Sequence, residues 1–204
     1  PPRPTPPGPM PEGTERPDAM PETAIYCDYN AGAPIRASAL TALAEAAAVC
    51  GNGSSVHRFG RAAKARLEAA REEIAARIGA GVANLVFTSG ATEALHLALD
   101  APKGVAKSLI VSAIEHDAVE GYASTAFSEV AGLHVTPDGV IDLAHLERLL
   151  AQVSQPALVA VMLANNETGA IQPVQEAARL VRAAGGLLMV DASQAPGRMA
   201  VDLQ

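Results

Sequence analysis

Short apolar runs alternate along this chain with longer segments whose composition or apolar spacing is typical of helices. The apolar runs predict strands at residues 24–29, 84–89, 108–112, 132–136, 157–163 and 187–191. The other segments predict helices over residues 35–50 and 61–78 and helices that begin at Thr92, Asp117, Asp142 and Val174. This pattern therefore predicts strands and helices that alternate along the chain.

The predicted strands are continuous apolar runs, without alternating polar positions. Such strands are typical of a mostly parallel sheet that is covered by helices on both faces. We therefore predict an α/β fold of this class. Ligands of open parallel sheets bind outside the carboxyl ends of the strands, so the residues that follow each strand are the first candidates for a site.

Composition separates a short tail from one domain. Residues 1–22 are rich in proline and contain almost nothing to bury, so we expect a disordered tail there. The whole chain of 204 residues is 49% hydrophobic, which is enough for one substantial core. We expect residues 23–204 to form a single domain.

Charge and cysteine content exclude several classes of partner. The chain has 15 Lys and Arg against 22 Asp and Glu and no basic run that could neutralise a phosphate backbone, so nucleic acid is not an expected partner. Cys27 and Cys50 form no metal-binding spacing, and we expect a reducing compartment, the cytoplasm. No apolar run approaches the roughly 20 residues of a membrane span, so we expect no membrane partner.

The segment after the predicted strand 84–89 can begin a helix at a place suited to an anion. Gly90 permits close approach to the backbone, and Ala91, Thr92 and Glu93 open a helix whose free amides and positive dipole end favour negative charge. A phosphate site is one interpretation. A helix start with an ordinary Ser or Thr cap is the alternative, because the segment matches no established nucleotide-binding glycine motif.

Two further strand ends carry polar side chains. Glu115 and His116 follow strand 108–112, where an imidazole can stack on a flat ligand or move a proton; a surface histidine near a helix start is the alternative. Asn165, Asn166 and Glu167 follow strand 157–163, either as a polar ligand-binding cluster or as turn residues.

Asp191 ends the last predicted strand, and Gln194 follows it in a turn. A carboxylate that points from a buried strand into a pocket is costly unless it meets a cation or several donors. A protonated heterocyclic nitrogen would meet it, as in pyridoxal phosphate enzymes; a helix N-cap is the alternative. Together, the strand ends outline a flat anionic ligand with a cationic nitrogen.

The order of these motifs resembles a known family. "DYNAGAP", "GNGSSVHRFGR", "TSGATE", "IEH", "ANNETG" and "DASQAPG" are similar to segments of the cysteine desulfurases, which belong to the class V, fold-type I pyridoxal phosphate enzymes. The resemblance covers residues 24–204 and implies the N-terminal part of the large, coenzyme-binding domain. Gly53 departs from the family pattern, which has proline at this position, and this weakens assignment to a subgroup.

The resemblance implies pyridoxal 5'-phosphate as the cofactor and assigns roles to matching positions. Ala91 and Thr92 would hold the coenzyme phosphate. His116 would stack on the pyridine ring and help to move protons, which would make it the catalytic residue of this chain.

Three more matching positions would contact the coenzyme ring. Asn166 and Gln194 would form hydrogen bonds near its phenolic oxygen, and Asp191 would pair with its pyridinium nitrogen. These roles agree with those inferred from the strand ends.

The resemblance also implies an activity. In cysteine desulfurases a protein thiolate removes sulfur from L-cysteine as a persulfide, leaving alanine, and a sulfur-acceptor protein can receive that sulfur. Full-length members are homodimers, and related members of the class are selenocysteine lyases and aminotransferases. Neither Cys27 nor Cys50 matches the position of the persulfide cysteine, and we expect both to be small buried residues.

The family's coenzyme-binding lysine lies in a serine–glycine–histidine–lysine stretch that this sequence does not contain. We therefore expect no turnover of cysteine by this chain alone, and aggregation or dependence on a partner. Three hypotheses follow: part of a cysteine desulfurase, a non-catalytic module that keeps its fold, and an unrelated α/β domain that binds a phosphate ligand.

Overall fold

A computed structural model describes residues 25–201 of the chain, which divides into two compact units, residues 1–34 and 35–204. In the first unit, the described residues contain a turn in which the Tyr26 hydroxyl lies within hydrogen-bonding distance of the backbone oxygens of Asp28 (2.7 Å) and Gly32 (2.8 Å). The predicted tail, residues 1–22, lies outside the described residues, so its disorder and the domain boundary at residue 23 stay predictions.

The second unit contains the predicted strand–helix order. Its helices are α1 (Ala37–Ala47), α2 (Arg58–Arg77), α3 (Ala91–Asp100), α4 (Asp117–Ala126), α5 (Leu143–Gln152) and α6 (Val174–Ala183), with a short 3-10 helix at Val82–Asn84. Its strands are β1 (Ser108–Ser112), β2 (Val130–Leu133), β3 (Ala157–Met162) and β4 (Leu187–Asp191). The helices predicted to begin near residues 92, 117, 142 and 174 all form within one residue of those positions.

The four strands form one parallel sheet in the order β2-β1-β3-β4. The chain moves outward from β1 to β2, returns past β1 to β3, and continues in the opposite direction to β4. The direction of winding therefore reverses between β1 and β3. In parallel sheets such a reversal opens a crevice between the carboxyl ends of the two strands, which is where ligands bind.

Helices cover both faces of this sheet. Ile110, Val159 and Val161 point into a core that is closed by α5 and α6. Leu109 and Leu158 alternate with them and point into a second core, which is closed by α3 and α4. Every residue of β3 is buried, which explains its continuous apolar sequence. The predicted fold class is thus confirmed.

Two predicted strands do not form, so those predictions are wrong. Residues 25–28 and 85–88, within the predicted strands 24–29 and 84–89, have no regular structure. Most of their apolar side chains are exposed, with Ile25 at 88% and Val86 at 75%. A strand exists only where a neighbour pairs with its backbone, and no strand within residues 25–201 pairs with either segment.

The prediction that the two cysteines are buried is also wrong, since Cys27 and Cys50 are both exposed free thiols. Cys27 lies in the segment that was predicted to be a strand and forms none. Cys50 follows α1, which buries none of its own residues and therefore provides no core for a small apolar side chain.

Candidate functional site

α3 begins at Ala91, preceded by the extended residue Gly90. Ala91 and Thr92 are exposed, and a side chain added at Gly90 would meet no atom within 4 Å. The first amides of any helix lack a carbonyl one turn earlier, so these positions offer free donors to an anion. The N-cap residue is Gly90 and no side chain caps this helix, so the alternative of a Ser or Thr cap is wrong, while the phosphate site stays a prediction.

Glu93 modifies this helix start. Its Oε2 accepts hydrogen bonds from the backbone N–H and the hydroxyl of Ser89, both at 2.6 Å. These two bonds lower the pKa of the Glu93 carboxyl, which is therefore anionic at neutral pH. The Ser89 amide is consequently already satisfied, and only the amides that follow it remain for an anionic ligand.

Contacts between α3 and α4 show that the two helices run in the same direction. The His96 ring stacks on the Tyr122 ring, with centroids 4.0 Å apart, and its Nε2 lies 3.1 Å from the Ala118 oxygen. One turn later on α3, Asp100 accepts a hydrogen bond from the Tyr122 hydroxyl (3.1 Å). The N-terminus of α3 therefore lies toward the N-terminus of α4, at the carboxyl edge of the sheet.

His116 is the N-cap residue of α4. Its Nδ1 accepts a hydrogen bond from the Ala118 N–H (3.1 Å), and its side chain is exposed. This bond requires an unprotonated Nδ1, so the neutral ring carries its proton on Nε2. The predicted helix-start position is therefore present, and the exposed ring is also accessible to a ligand.

The cluster after β3 forms a turn organised by Asn165, which is 8% exposed. Its Oδ1 accepts hydrogen bonds from the N–H groups of Glu167 (3.0 Å) and Thr168 (2.8 Å), and its Nδ2 donates to the Ile114 oxygen (3.0 Å). Asn165 is thus a structural turn residue. Asn166 is half-buried and donates a hydrogen bond from Nδ2 to Glu167 Oε1 (2.7 Å).

Asp191 ends β4 and is 8% exposed. Its Oδ1 accepts hydrogen bonds from the N–H (2.8 Å) and the hydroxyl (2.6 Å) of Ser193, so the carboxylate stabilises the following turn. That turn does not continue as a helix within the described residues, so Asp191 is no helix N-cap there. In the same turn, Gln194 Oε1 accepts a hydrogen bond from Arg198.

Glu115 lies between the ends of β1 and β3 and is 8% exposed. Its Oε1 accepts hydrogen bonds from the Ser112 hydroxyl (2.6 Å) and the Met162 N–H (2.7 Å). Burial raises the pKa of the Glu115 carboxyl, and the charge of Asp191 raises it further, while the two hydrogen bonds act in the opposite direction. The sequence drew attention to this residue without assigning it a role.

The structure thus brings His116, Asn166, Asp191 and Gln194 to the carboxyl edge of one sheet, and the parallel packing of α3 and α4 turns Ala91 and Thr92 toward the same edge. Met162 and Asp191 are partners in the β3–β4 ladder, so the ends of these strands are level. The roles of these residues stay predictions.

Other features lie elsewhere or contribute no site. An apolar groove of about 490 Å³ lies at the opposite end of the sheet, between the C-terminus of α3 and the amino ends of β3 and β4. Within residues 25–201 no three His, Cys, Asp or Glu side chains group as a metal site would require. No helix in that part of the chain is long and apolar enough to cross a bilayer.

The aminotransferase class-V family model matches residues 25–204. The chain belongs to the class V aminotransferase family. The resemblance predicted from the motifs is therefore confirmed.

Proteins that are similar to this chain include cysteine desulfurases. A cysteine desulfurase IscS of Anaeromyxobacter sp. is 39% identical over 193 residues, which are 88% of this chain and 46% of that protein. An IscS-like cysteine desulfurase of Mycobacterium tuberculosis is 34% identical, over 87% of this chain and 48% of its own. The chain spans about half the length of the curated relatives it matches.

Solved structures agree with this fold. A NifS-like protein from Rickettsia africae matches with a TM-score of 0.80 and 29% identity, covering 86% of this chain and 49% of its own. SspA in complex with cysteine matches with a TM-score of 0.78 and 27% identity, over 87% of this chain and 53% of its own.

Proposed function

We propose that this chain forms the coenzyme-binding face of a pyridoxal 5'-phosphate-dependent cysteine desulfurase. The observation that carries the proposal is the buried Asp191 carboxylate at the carboxyl end of β4, one strand from the crevice between β1 and β3. Its Oδ1 is engaged by Ser193, and its hydrogen bonds within the described residues leave Oδ2 for a cationic N–H. A pyridinium nitrogen supplies such a group.

The remaining residues fit the other parts of the coenzyme. The first amides of α3, at Ala91 and Thr92, would bind the phosphate, and the Nε2–H tautomer of His116 would present a proton donor beside the ring. Asn166 and Gln194 would donate to the phenolic oxygen. When bound, the coenzyme would supply an electron sink for reactions at the carbon atoms of the amino acid, and Asp191 would keep its ring nitrogen protonated.

The substrate and partners follow from the family. We propose L-cysteine as the substrate of the whole protein, a sulfur-acceptor protein as a partner, a homodimer as the assembly and the cytoplasm as the compartment. The presence of cysteine in the SspA structure supports the substrate by similarity.

We propose that this chain alone binds the coenzyme without a covalent bond and does not turn over cysteine. Lys103 and Lys107 precede β1 and lie at its amino end, and Lys103 forms an ion pair with Asp100 at 2.7 Å. Lys64 belongs to α2. The positions of Lys103 and Lys107 support the view that neither reaches the Asp191 end of the sheet, and we propose the same for Lys64.

A binding titration tests the proposal. Pyridoxal 5'-phosphate, pyridoxal and inorganic phosphate are each added to the 204-residue chain, and Kd is measured from coenzyme absorbance and by calorimetry. We expect saturable binding of pyridoxal 5'-phosphate, weaker binding of pyridoxal, and competition by phosphate. Absence of saturable coenzyme binding, or tight binding of a nucleotide instead, would overturn the proposal and favour an unrelated phosphate-ligand domain.

Asp191→Asn tests the ring contact. Asparagine keeps an oxygen that accepts from Ser193, so the turn persists, but it removes the negative charge. Loss of a charge-assisted hydrogen bond of about 1.5–3 kcal/mol weakens coenzyme binding by roughly 10- to 150-fold. Asp138→Asn, in an exposed turn, is the matched control and should leave Kd unchanged. Equal Kd values for both variants would refute the role of Asp191.

A further inference from the structure

The loop between β1 and α4 is tied to the end of β3 by two hydrogen bonds from different residues. Glu115 Oε1 accepts from the Met162 N–H at 2.7 Å, and Asn165 Nδ2 donates to the Ile114 oxygen at 3.0 Å. These bonds cross the crevice where the winding of the sheet reverses. The regular β1–β3 ladder pairs residues only as far as Val111 and Ala160, so the side chains continue the connection beyond it.

Both ends of the Glu115 bridge adjoin candidate site residues. His116 follows Glu115 directly in the chain. On the other side, Met162 is the ladder partner of Asp191. The backbone oxygen of Asp191 accepts a hydrogen bond from the Leu163 N–H at 2.8 Å. The bridge from Glu115 to Met162 therefore connects the residue before the predicted ring-stacking imidazole to the strand that fixes the predicted ring-binding carboxylate.

The Glu115 carboxyl group is costly as a simple structural link. Its Oε2 is buried and has no hydrogen-bond partner among the described residues. No Lys or Arg in residues 25–201 forms an ion pair with it, and the charged group that acts on it is Asp191 from β4. A buried oxygen without a partner is uncommon in folded proteins and calls for an explanation at a ligand site.

We propose that Glu115 is a positioning residue whose Oε1, through its hydrogen bonds from Ser112 and Met162, ties the loop after β1 to the end of β3 and so fixes His116 relative to Asp191. This inference rests on the proposed function, because a fixed position of His116 relative to Asp191 matters only if both residues contact the coenzyme. Both hydrogen bonds are accepted by Oε1, so the tie depends on an acceptor atom at that position and not on the charge of the side chain. The bridge requires an acceptor for the Met162 N–H and the Ser112 hydroxyl, and an amide oxygen can also accept both bonds.

Three variants separate positioning from other roles. Glu115→Ala removes the acceptor for Ser112 and Met162, whereas Glu115→Gln retains an uncharged acceptor of the same shape. Glu120→Ala, on the exposed side of α4, is the matched control for the alanine change. The first readout is NMR of the Met162 amide and the His116 ring, which needs no coenzyme. We expect Glu115→Ala to shift both sets of resonances, and Glu115→Gln and the control to preserve them.

The second readout is coenzyme affinity. We expect Glu115→Ala to raise the Kd for pyridoxal 5'-phosphate about tenfold, and Glu115→Gln to stay within about twofold of the wild type. In a His116→Ala background the effect of Glu115→Ala should largely disappear, because the bridge acts through His116. A general loss of stability would instead weaken binding in both backgrounds.

The two proposals can fail separately. If the wild-type chain shows no saturable coenzyme binding, the proposed function fails, and the His116 resonances still decide the role of Glu115. Unchanged His116 resonances in Glu115→Ala would overturn the positioning role. So would a Glu115→Gln variant that behaves like Glu115→Ala, or additive effects of the His116 and Glu115 changes on Kd.

Discussion

Truncation of Leu99 on α3 tests whether this helix is anchored to the sheet as the structure indicates. Leu99 is 0% exposed and belongs to the core that contains Leu109, Val119 and Leu158. Leu97, two residues earlier on the same helix, is 51% exposed. Leu99→Ala and Leu97→Ala make the same chemical change in the same helix, so their difference isolates burial from helix propensity.

The structure sets the expected magnitudes. Replacement of a fully buried leucine removes its transfer free energy and leaves a cavity, which together lower the free energy of unfolding by about 2–5 kcal/mol. About half of the Leu97 side chain is already in water, so its truncation loses only about half of the roughly 1.5–3 kcal/mol of full burial, without an enclosed cavity. We therefore expect Leu99→Ala to be less stable than Leu97→Ala by about 1–3 kcal/mol.

Urea unfolding followed by circular dichroism measures this difference. The slope of the free energy with urea should be the same for both variants, so that the midpoints report stability directly. Because α3 also supplies the proposed phosphate-binding amides, Leu99→Ala should weaken binding of inorganic phosphate more than Leu97→Ala does. Equal midpoints for the two variants would refute the packing of α3 on the sheet.

Three further predictions concern the polar residues around the sheet. Asn165→Ala should lower the free energy of unfolding by about 2 kcal/mol, measured in urea, because it removes the side-chain partner of three partly buried backbone groups, whereas Asn166→Ala should have a smaller effect. Burial, His134 and Arg148 lower the pKa of His145 below its ordinary value of 6.5, although Asp142 raises it. The contribution of His145 to the stability of the fold is therefore complete above about pH 6.5 and is lost as the pH falls through the folded-state pKa. His145→Asn keeps an acceptor for the His134 N–H (3.1 Å) and should reduce this loss below pH 6.5 in urea titrations. Glu93→Gln should increase the affinity for inorganic phosphate, most clearly at low ionic strength, because it removes a negative charge from the start of α3.

Each of these predictions has a contrary result. Equal stability of the two asparagine variants would mean that Asn165 does not organise the turn. A pH dependence unchanged by His145→Asn would assign the acid sensitivity to other groups. Phosphate affinity that is unchanged by Glu93→Gln at low salt would place the anion away from α3.

Local sequence patterns were sufficient for most of the fold. The apolar runs at residues 108–112, 157–163 and 187–191 and the helical spacing that begins near residues 92, 117, 142 and 174 correspond to elements of the structure. These patterns succeed because burial on both faces of a sheet requires continuous apolar sequence, and burial of one helix face requires periodic sequence. The polar residues at the strand ends could be found because they directly follow these apolar runs.

The sequence failed where the outcome depends on a distant partner. Residues 84–89 have a strand-like composition but no neighbouring strand within residues 25–201, and Cys27 and Cys50 have no core against which to be buried. Propensity describes the preference of one segment, whereas a strand pair or a packed core needs a second segment to contact.

By itself, the sequence determined the class of fold, the family and the residues that follow each strand. Only the tertiary structure decided that β1 and β3 are adjacent, that Met162 is level with Asp191, and that Glu115 bridges the ends of β1 and β3. Glu115 and Met162 are 47 positions apart in the chain, and their contact exists because the crossover through β2 and α5 returns the chain to the side of β1. Strand order is a property of the whole packed sheet, and no local pattern encodes it.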